Sequence, residues 1–470
     1  MKKIPHLRSL NSLTPFFTIM SLLLSIVAYT QTTRYVKQGG NGNGTSWANA
    51  SGNLQDMITA SATNDLVWVA AGTYLPTVAP GNGTNNRDKA FLLKNNVKVY
   101  GGFPATGSPM MADRNWTLNE TILSGDLGTA GSTADNAYHV VIAAAAEGNA
   151  MSVNTIFDGF TVSGGNANGN PFAYITVNGT SAAPNDGGGI YMQGGAATVN
   201  NCKIINNAAA SNGGGMYLGG SAVMASNVAF TQNNAMYGGG IFEEGVSTLS
   251  LDHTKVNGNT AMYGGGGVKV NYSVLTAVNS VFSGNAAFTV TGAGTDGGAI
   301  NAGNYAETTL TNVTISGNKC NGYGGGVYNL GATLTVQNTL VYGNSSGIYN
   351  NVYDANETPF TYTNSLIQLV HDYSAGIILY NDANPLLTNA PAYTTSPFAD
   401  GDYSISSSCS PVIDAGNNSF LPASATTDFV GNTRFYAAGT VDIGAVEYQG
   451  AIFNLPPTVL NQTFDYGATV

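Results

Sequence analysis

Between residues 199 and 350 one pattern returns at a nearly constant interval, and it leaves few folds open to this chain. An apolar residue and, three positions later, an asparagine recur as Ile204 and Asn207, Phe230 and Asn233, Val256 and Asn259, Phe282 and Asn285, Ile315 and Asn318, and Val341 and Asn344. Successive asparagines lie 26, 26, 26, 33 and 26 residues apart. The single insertion, of seven residues, falls in the Gly/Thr-rich stretch 287–296, which reads as a lengthened loop. Six residues before each asparagine stand Asn201, Asn227, His253, Asn279, Asn312 and Asn338. Eight before it stand Val199, Ala225, Leu251, Ala277, Leu310 and Val336. Glycine clusters of the GGGI type end in Ile190, Met216, Ile241, Val268, Ile300 and Val327.

A fixed period of this length marks stacked units, each unable to bury its apolar face alone. Apolar residues alternate over short segments, as strands with one buried face require. A helical repeat would need a 3.6-residue period and would be weakened by three consecutive glycines. The expected fold is all-β: a right-handed parallel β-helix, with three sheets around one core. Stacking places equivalent side chains about 4.8 Å apart, close enough for asparagine amides to bond from coil to coil. Two ladders are expected. One comprises Asn207, Asn233, Asn259, Asn285, Asn318 and Asn344. The other comprises Asn201, Asn227, His253, Asn279, Asn312 and Asn338, with the His253 imidazole replacing an amide.

Composition agrees. Charged residues make up 9 % of the 470 and glycine numbers 61, against about 25 % and 7 % in ordinary chains. Glycine and asparagine supply the left-handed corners that many tight turns need. A net charge of −11 argues against nucleic acid and anionic membrane surfaces as partners. Lys2, Lys3 and Arg8 followed by the apolar run FFTIMSLLLSIVA at 16–28 read as an export signal. No later run reaches that apolar length, so no transmembrane segment is expected after it and the protein should be secreted or on the outer cell surface. Cys202, Cys320 and Cys409 are odd in number and far apart; they are expected to be buried thiols rather than disulfides.

The GGGI…N pattern resembles the repeats of chlamydial polymorphic outer-membrane proteins and of bacterial right-handed β-helix proteins. The segments RYVKQGGNGNGTSWANA, VWVAAGTY, VYGGF, TILSGDLG and FDGFTVSGG, within 34–165, look like the usual opening of such proteins. TDFVGNTR…VDIGAVEY at 427–448 resembles the choice-of-anchor Q region of secreted bacterial proteins, many from Bacteroidota. The resemblance implies cap roles for Asp414, Asp428, Arg434, Asp442 and Glu447. Because this fold hosts lyases, hydrolases and adhesins, it does not set the activity.

The expected organisation is a signal at 1–30, an N-terminal cap and irregular coils at 31–155, and regular coils at 156–350. Last coils and a C-terminal cap follow at 351–450, then a linker and the start of an Ig-like module at 451–470. The amphipathic stretch 54–58 could cover the open end of the core, and 166–184 is a Gly/Asn-rich insertion.

Chemistry is sparse. Residues 156–350 contain no arginine, and their acids form no column. The best catalytic candidates are Glu243, Glu244 and Lys269: Lys269 should stack on Phe242 one coil away, facing outward, where a glutamate could pair with it. A solvated ion pair would look the same. Tyr191, Tyr217, Phe242 and Tyr328 should face outward as a stripe able to hold sugar rings, or simply shield the backbone. His139 and His371 lack partners at metal spacing, so no metal is expected; Ca²⁺ enters only with a lyase reading. These features favour an adhesin-like monomeric scaffold displaying a glycan- or partner-binding face. The alternative is a polysaccharide lyase or glycoside hydrolase acting on polyuronates or other polysaccharides.

Overall fold

The computed structural model describes residues 31–145, 150–288, 295–355, 361–368, 383–398 and 401–450. The expected export signal, His371 and the tail 451–470 lie outside the described residues.

The chain is a parallel β-helix. An eleven-stranded sheet runs from Thr33–Val36 to Thr361–Thr363, a ten-stranded sheet from Gly72–Tyr74 to Leu366–Ile367, and a nine-stranded sheet from Phe91–Leu92 to Val352–Asp354. A fourth, short sheet of six strands runs from Asn166–Ala167 to Lys319–Cys320, where three sheets were expected. One coil shows the path: Ile190–Gln193, Ala196–Asn200, Lys203–Ile205 and Ala208–Ala209 lie on the four sheets in turn. Pairing between coils is parallel and in register, as in Ile204↔Phe230, Phe230↔Val256 and Val256↔Phe282. Ile204, Phe230, Val256, Phe282, Ile315 and Val341 are all fully buried in one continuous core, each stabilising the stack by about 1.5–3 kcal/mol. The short helix Leu54–Ala60 is capped by the Asn53 side chain and buries Leu54, Met57 and Ile58 in that same core.

The two asparagine columns differ physically. Asn207, Asn233, Asn259, Asn285, Asn318 and Asn344 are buried, and each amide donates to the side-chain oxygen of the next coil's asparagine at 2.8–3.1 Å, ending on Asn351. The same oxygens accept the backbone N–H groups of the preceding coil's asparagines. The second column is not a continuous ladder. Its residues Asn201, Asn227, His253, Asn279, Asn312 and Asn338 occupy left-handed corners with φ of 46–56°, which asparagine tolerates better than most residues. Only Asn227 to Asn201 and Asn338 to Asn312 bond as ladder neighbours. The His253 ring bonds Asp252 and Thr427 instead of Asn227 and Asn279. A hydroxyl stack went unread in the sequence: the Ser221 N–H donates to Ser247 Oγ and the Ser247 N–H to Ser273 Oγ.

Residues of the C-terminal segment lie beside these corners. Thr427 meets His253, Arg434 donates to Asn279 at 2.7 Å, the Ala445 N–H donates to Thr314, and the Asn417 N–H donates to Asn338. Arg434 is fully buried and pairs with Glu447 at 3.2 Å. Asp428 accepts the N–H groups of Val430, Asn432 and Glu447, and Asp442 those of Asp414 and Tyr448. Cys202 and Cys320 are buried free thiols, whereas Cys409 is exposed.

Candidate functional site

The outer face of the nine-stranded sheet carries the residues of interest. Period-two alternation sends Ile241 and Glu243 to one side and Phe242 and Glu244 to the other. The register then stacks Tyr191, Tyr217, Phe242, Lys269, Asn301, Tyr328 and Tyr353 in one column.

The expected aromatic stripe is not a surface. Tyr191 is 3 % exposed, and Tyr217 and Phe242 are each 6 % exposed. Their rings stack on one another, with centroids 5.0 and 6.0 Å apart. A hairpin of Ile175–Val177 and Thr180–Ala182, built from the insertion, packs over them through Ile175, Val177 and Ala182. The Tyr191 hydroxyl donates to the Ser181 carbonyl. Outward-facing side chains can still be buried when a neighbouring loop folds back, and the repeat pattern carries no sign of that. Tyr328 stays half-buried.

The expected ion pair is absent too. Glu243 points into the core, in register with Leu218 and Val270, and neither carboxyl oxygen has a partner. Burial holds its carboxyl well above the usual range. Glu244 faces out, but its Oε1 accepts the Tyr217 hydroxyl at 2.6 Å. Lys269 forms no salt bridge among the described residues; its Nζ donates to Asn301 Oδ1 at 2.6 Å. The lysine amine reaches the next coil, where a Cβ at Gly303 would sit 3.5 Å from Nζ, an ordinary van der Waals distance. Burial lowers the Lys269 ammonium to about 8, against the opposing pull of Asp296.

Asp296, which sequence reasoning assigned only to a lengthened loop, belongs to this site. Its backbone oxygen accepts the Asn301 amide at 2.9 Å and its Oδ1 accepts the Tyr323 N–H at 2.9 Å. Burial raises its carboxyl above the ordinary value. Burial, with Asp296 nearby, pushes the Tyr328 hydroxyl up to about 12. The signal in the sequence was the insertion itself, the one break in the period. An open groove of ≈ 600 Å³ is lined by Gln193, Tyr217, Glu244, Tyr272 and Asn271, among others, with Asn271 lying two residues beyond Lys269 on the same strand. Over Gly219, which stands in the column of Gln193 and Glu244, the Gln193 amide and the Tyr217 hydroxyl fill the space that a side chain would take.

The site thus brings together a half-buried amine pushed toward neutrality, an amide that holds it and a nearby carboxylate, with an open groove starting two residues along the strand at Asn271. Among the described residues no three His, Cys, Asp or Glu side chains converge as a metal-holding set. His139 is buried against Tyr191 and bonds the Gly187 carbonyl.

No family model and no curated protein matches the chain, so the repeat and choice-of-anchor Q resemblances rest on the quoted residues alone. Solved structures do match. The crystal structure of pectate lyase Pel9A superposes with a TM-score of 0.50 at 13 % identity, covering 89 % of this chain and 97 % of that one. Pectin methylesterase PemA from Erwinia chrysanthemi gives 0.33 at 11 % identity over 65 % and 90 %. An alginate lyase from Paenibacillus sp. gives 0.28 at 12 % identity over 69 % and 98 %. The first of these supports the β-helix architecture of this chain, whose long parallel sheets share the fold of a pectate lyase.

Proposed function

We propose that this chain is an extracytoplasmic polysaccharide-acting protein, and that Lys269 is the base of a β-elimination at a uronate residue. The observation that carries this reading is the state of Lys269. It is half-buried on an outward sheet face, held by Asn301, free of a carboxylate partner among the described residues, and lowered to about 8. An amine in that state is a competent base near neutral pH, where an ordinary lysine is fully charged. The neutral Nζ would take the proton from the carbon next to the uronate carboxylate. The glycosidic oxygen on the adjoining carbon leaves with the bonding electrons, and a carbon–carbon double bond forms between the two carbons. Asn301 positions the amine. The open groove that starts at Asn271, two residues along the same strand, gives a glycan room to lie against the sheet. The pectate lyase that shares the fold acts on a polymer of this kind. The display-scaffold reading that the sequence favoured loses most of its expected stripe, since Tyr191, Tyr217 and Phe242 are covered and only Tyr328 stays half-buried.

The test is release of unsaturated sugar from a panel of uronate-containing polysaccharides, read by ultraviolet absorbance. Activity should rise with pH through about 8, as the amine loses its proton. Lys269→Ala should lower the rate about 10²-fold or more. Full activity in Lys269→Ala, or no unsaturated product from any member of the panel, would overturn the assignment.

A further inference from the structure

Beyond Lys269 the same column continues into Tyr328 and Tyr353, over which no hairpin packs among the described residues. Tyr328 and Tyr353 stack with centroids 5.6 Å apart, Tyr353 stacks on Tyr349 at 5.2 Å, and Tyr323 lies 4.6 Å from Tyr353. All four are half-buried, unlike the sealed Tyr191, Tyr217 and Phe242. At coil spacings of about 4.8 Å, Tyr328 stands two coils from Lys269 and Tyr353 three. That separation suits consecutive sugar rings of a chain laid across the strands. On the flank of the groove, Tyr272 and Tyr305 are 51 % and 83 % exposed and 6.0 Å apart.

Charge restricts what can lie there. Across all nine strands of this sheet Lys269 is the only lysine or arginine; of the strand acids Glu244 faces outward, whereas Glu243 and Asp354 stand in the inward column. Asp296 adds a further carboxylate beside Tyr323. A homopolymer of uronic acid would set a carboxylate over every coil with one cation to meet them, on a protein that already carries −11. Tyrosines recognise a sugar instead through its apolar ring face and its hydroxyls.

We infer that Tyr323, Tyr328, Tyr349 and Tyr353 form binding subsites for neutral sugars, and that the substrate is a mixed polysaccharide in which isolated uronates sit between neutral residues. This rests on the proposed role of Lys269 for the position of the uronate, but the tyrosine subsites can be tested without catalysis.

The experiment uses the full chain carrying Lys269→Ala, which holds substrate without turnover. Calorimetric titration compares xylohexaose, an aldouronic xylo-oligosaccharide bearing one uronate, and hexagalacturonate, each with and without added Ca²⁺. The neutral and singly charged oligomers should bind, and hexagalacturonate should bind at least tenfold more weakly under both conditions. Tyr353→Ala and Tyr323→Ala, each added to that background, should weaken xylohexaose about tenfold, while Tyr353→Phe should retain affinity through its ring. Circular dichroism melts confirm that each variant is folded. Tighter binding of hexagalacturonate than of the neutral oligomer would overturn the inference, as would affinity indifferent to Tyr353→Ala and Tyr323→Ala in folded protein. Failure of the base assignment gives a different pattern: xylohexaose still binds through the tyrosines, but the parent protein releases no unsaturated product.

Discussion

Replacing Glu243 by leucine should make this protein more stable, by an amount that grows with pH. The side chain is fully buried, both carboxyl oxygens lack a partner, and its register neighbours are Leu218 and Val270. Leaving a buried polar group unpaired costs about 1–3 kcal/mol. Burial alone holds the carboxyl well above the usual glutamate range. It is therefore protonated in the folded state under conditions where the unfolded chain has released the proton. The folded state then binds the extra proton, so stability falls as pH rises above the unfolded value. The slope is at most about 1.4 kcal/mol per pH unit, and it ends where the folded carboxyl itself ionises. Below the unfolded value the titration term vanishes and only the unpaired polar group remains. Glu243→Leu removes both terms and continues an aliphatic column. Glu243→Gln keeps the shape and a polar tip but does not titrate. Urea unfolding across a pH series from about 4 to 8 should show the leucine variant ahead of the parent by about 1–3 kcal/mol in acid and by more at neutral pH. The glutamine variant should track the parent in acid and separate from it as pH rises. Parallel stability curves for the parent and Glu243→Gln, or a leucine variant less stable than the parent throughout, would refute the reasoning.

The buried ladder should be equally sensitive. Asn259 donates to Asn285 and to the Phe230 carbonyl and accepts from the Asn233 backbone and amide, so Asn259→Leu should cost about 3–5 kcal/mol in denaturant unfolding; a loss under about 1 kcal/mol would deny the ladder any stabilising role. Arg434→Ala leaves Glu447 buried beside Asp442 without its cation and should cost about 3–5 kcal/mol, whereas Arg434→Ala with Glu447→Gln should recover part of the loss, as a double-mutant cycle would read. His253→Asn should fold, because asparagine suits its left-handed corner. The bond to Asp252 raises the His253 pKa above the ordinary histidine value, so its stabilisation is full below the unfolded histidine value and is lost as pH rises through the folded one. The parent's lead over His253→Asn in thermal melts should therefore shrink as pH rises through that range, and a lead that grows would contradict it.

The architecture was legible because one 26-residue register repeats its apolar positions, its glycine corners and Asn207, Asn233, Asn259, Asn285, Asn318 and Asn344. Each coil repeats the same local problem, so the pattern reports the local solution directly: a strand has a period of two, and stacking a coil on its copy leaves only one register that keeps Ile204, Phe230 and Val256 inside. Lys269 was singled out on the same basis, by its place after Val268 in the column of Phe242. The partners were not legible. Glu243 and Glu244 were adjacent in sequence and so looked interchangeable, yet alternation buried one among Leu218 and Val270 and turned the other to Tyr217. Tyr191 was outward-facing but became core when residues 175–182 folded over it. His253 matched an asparagine column but met Thr427, 174 residues away. Asp296 stood in the one segment that breaks the period, and only the return of the loop against Asn301 and Tyr323 brought it to the lysine. The repeat encodes contacts between copies of the same position, which sequence periodicity can express. The site arises where non-repeating segments fold back onto the stack, and those contacts are set by loop closure and burial that no periodic signal records.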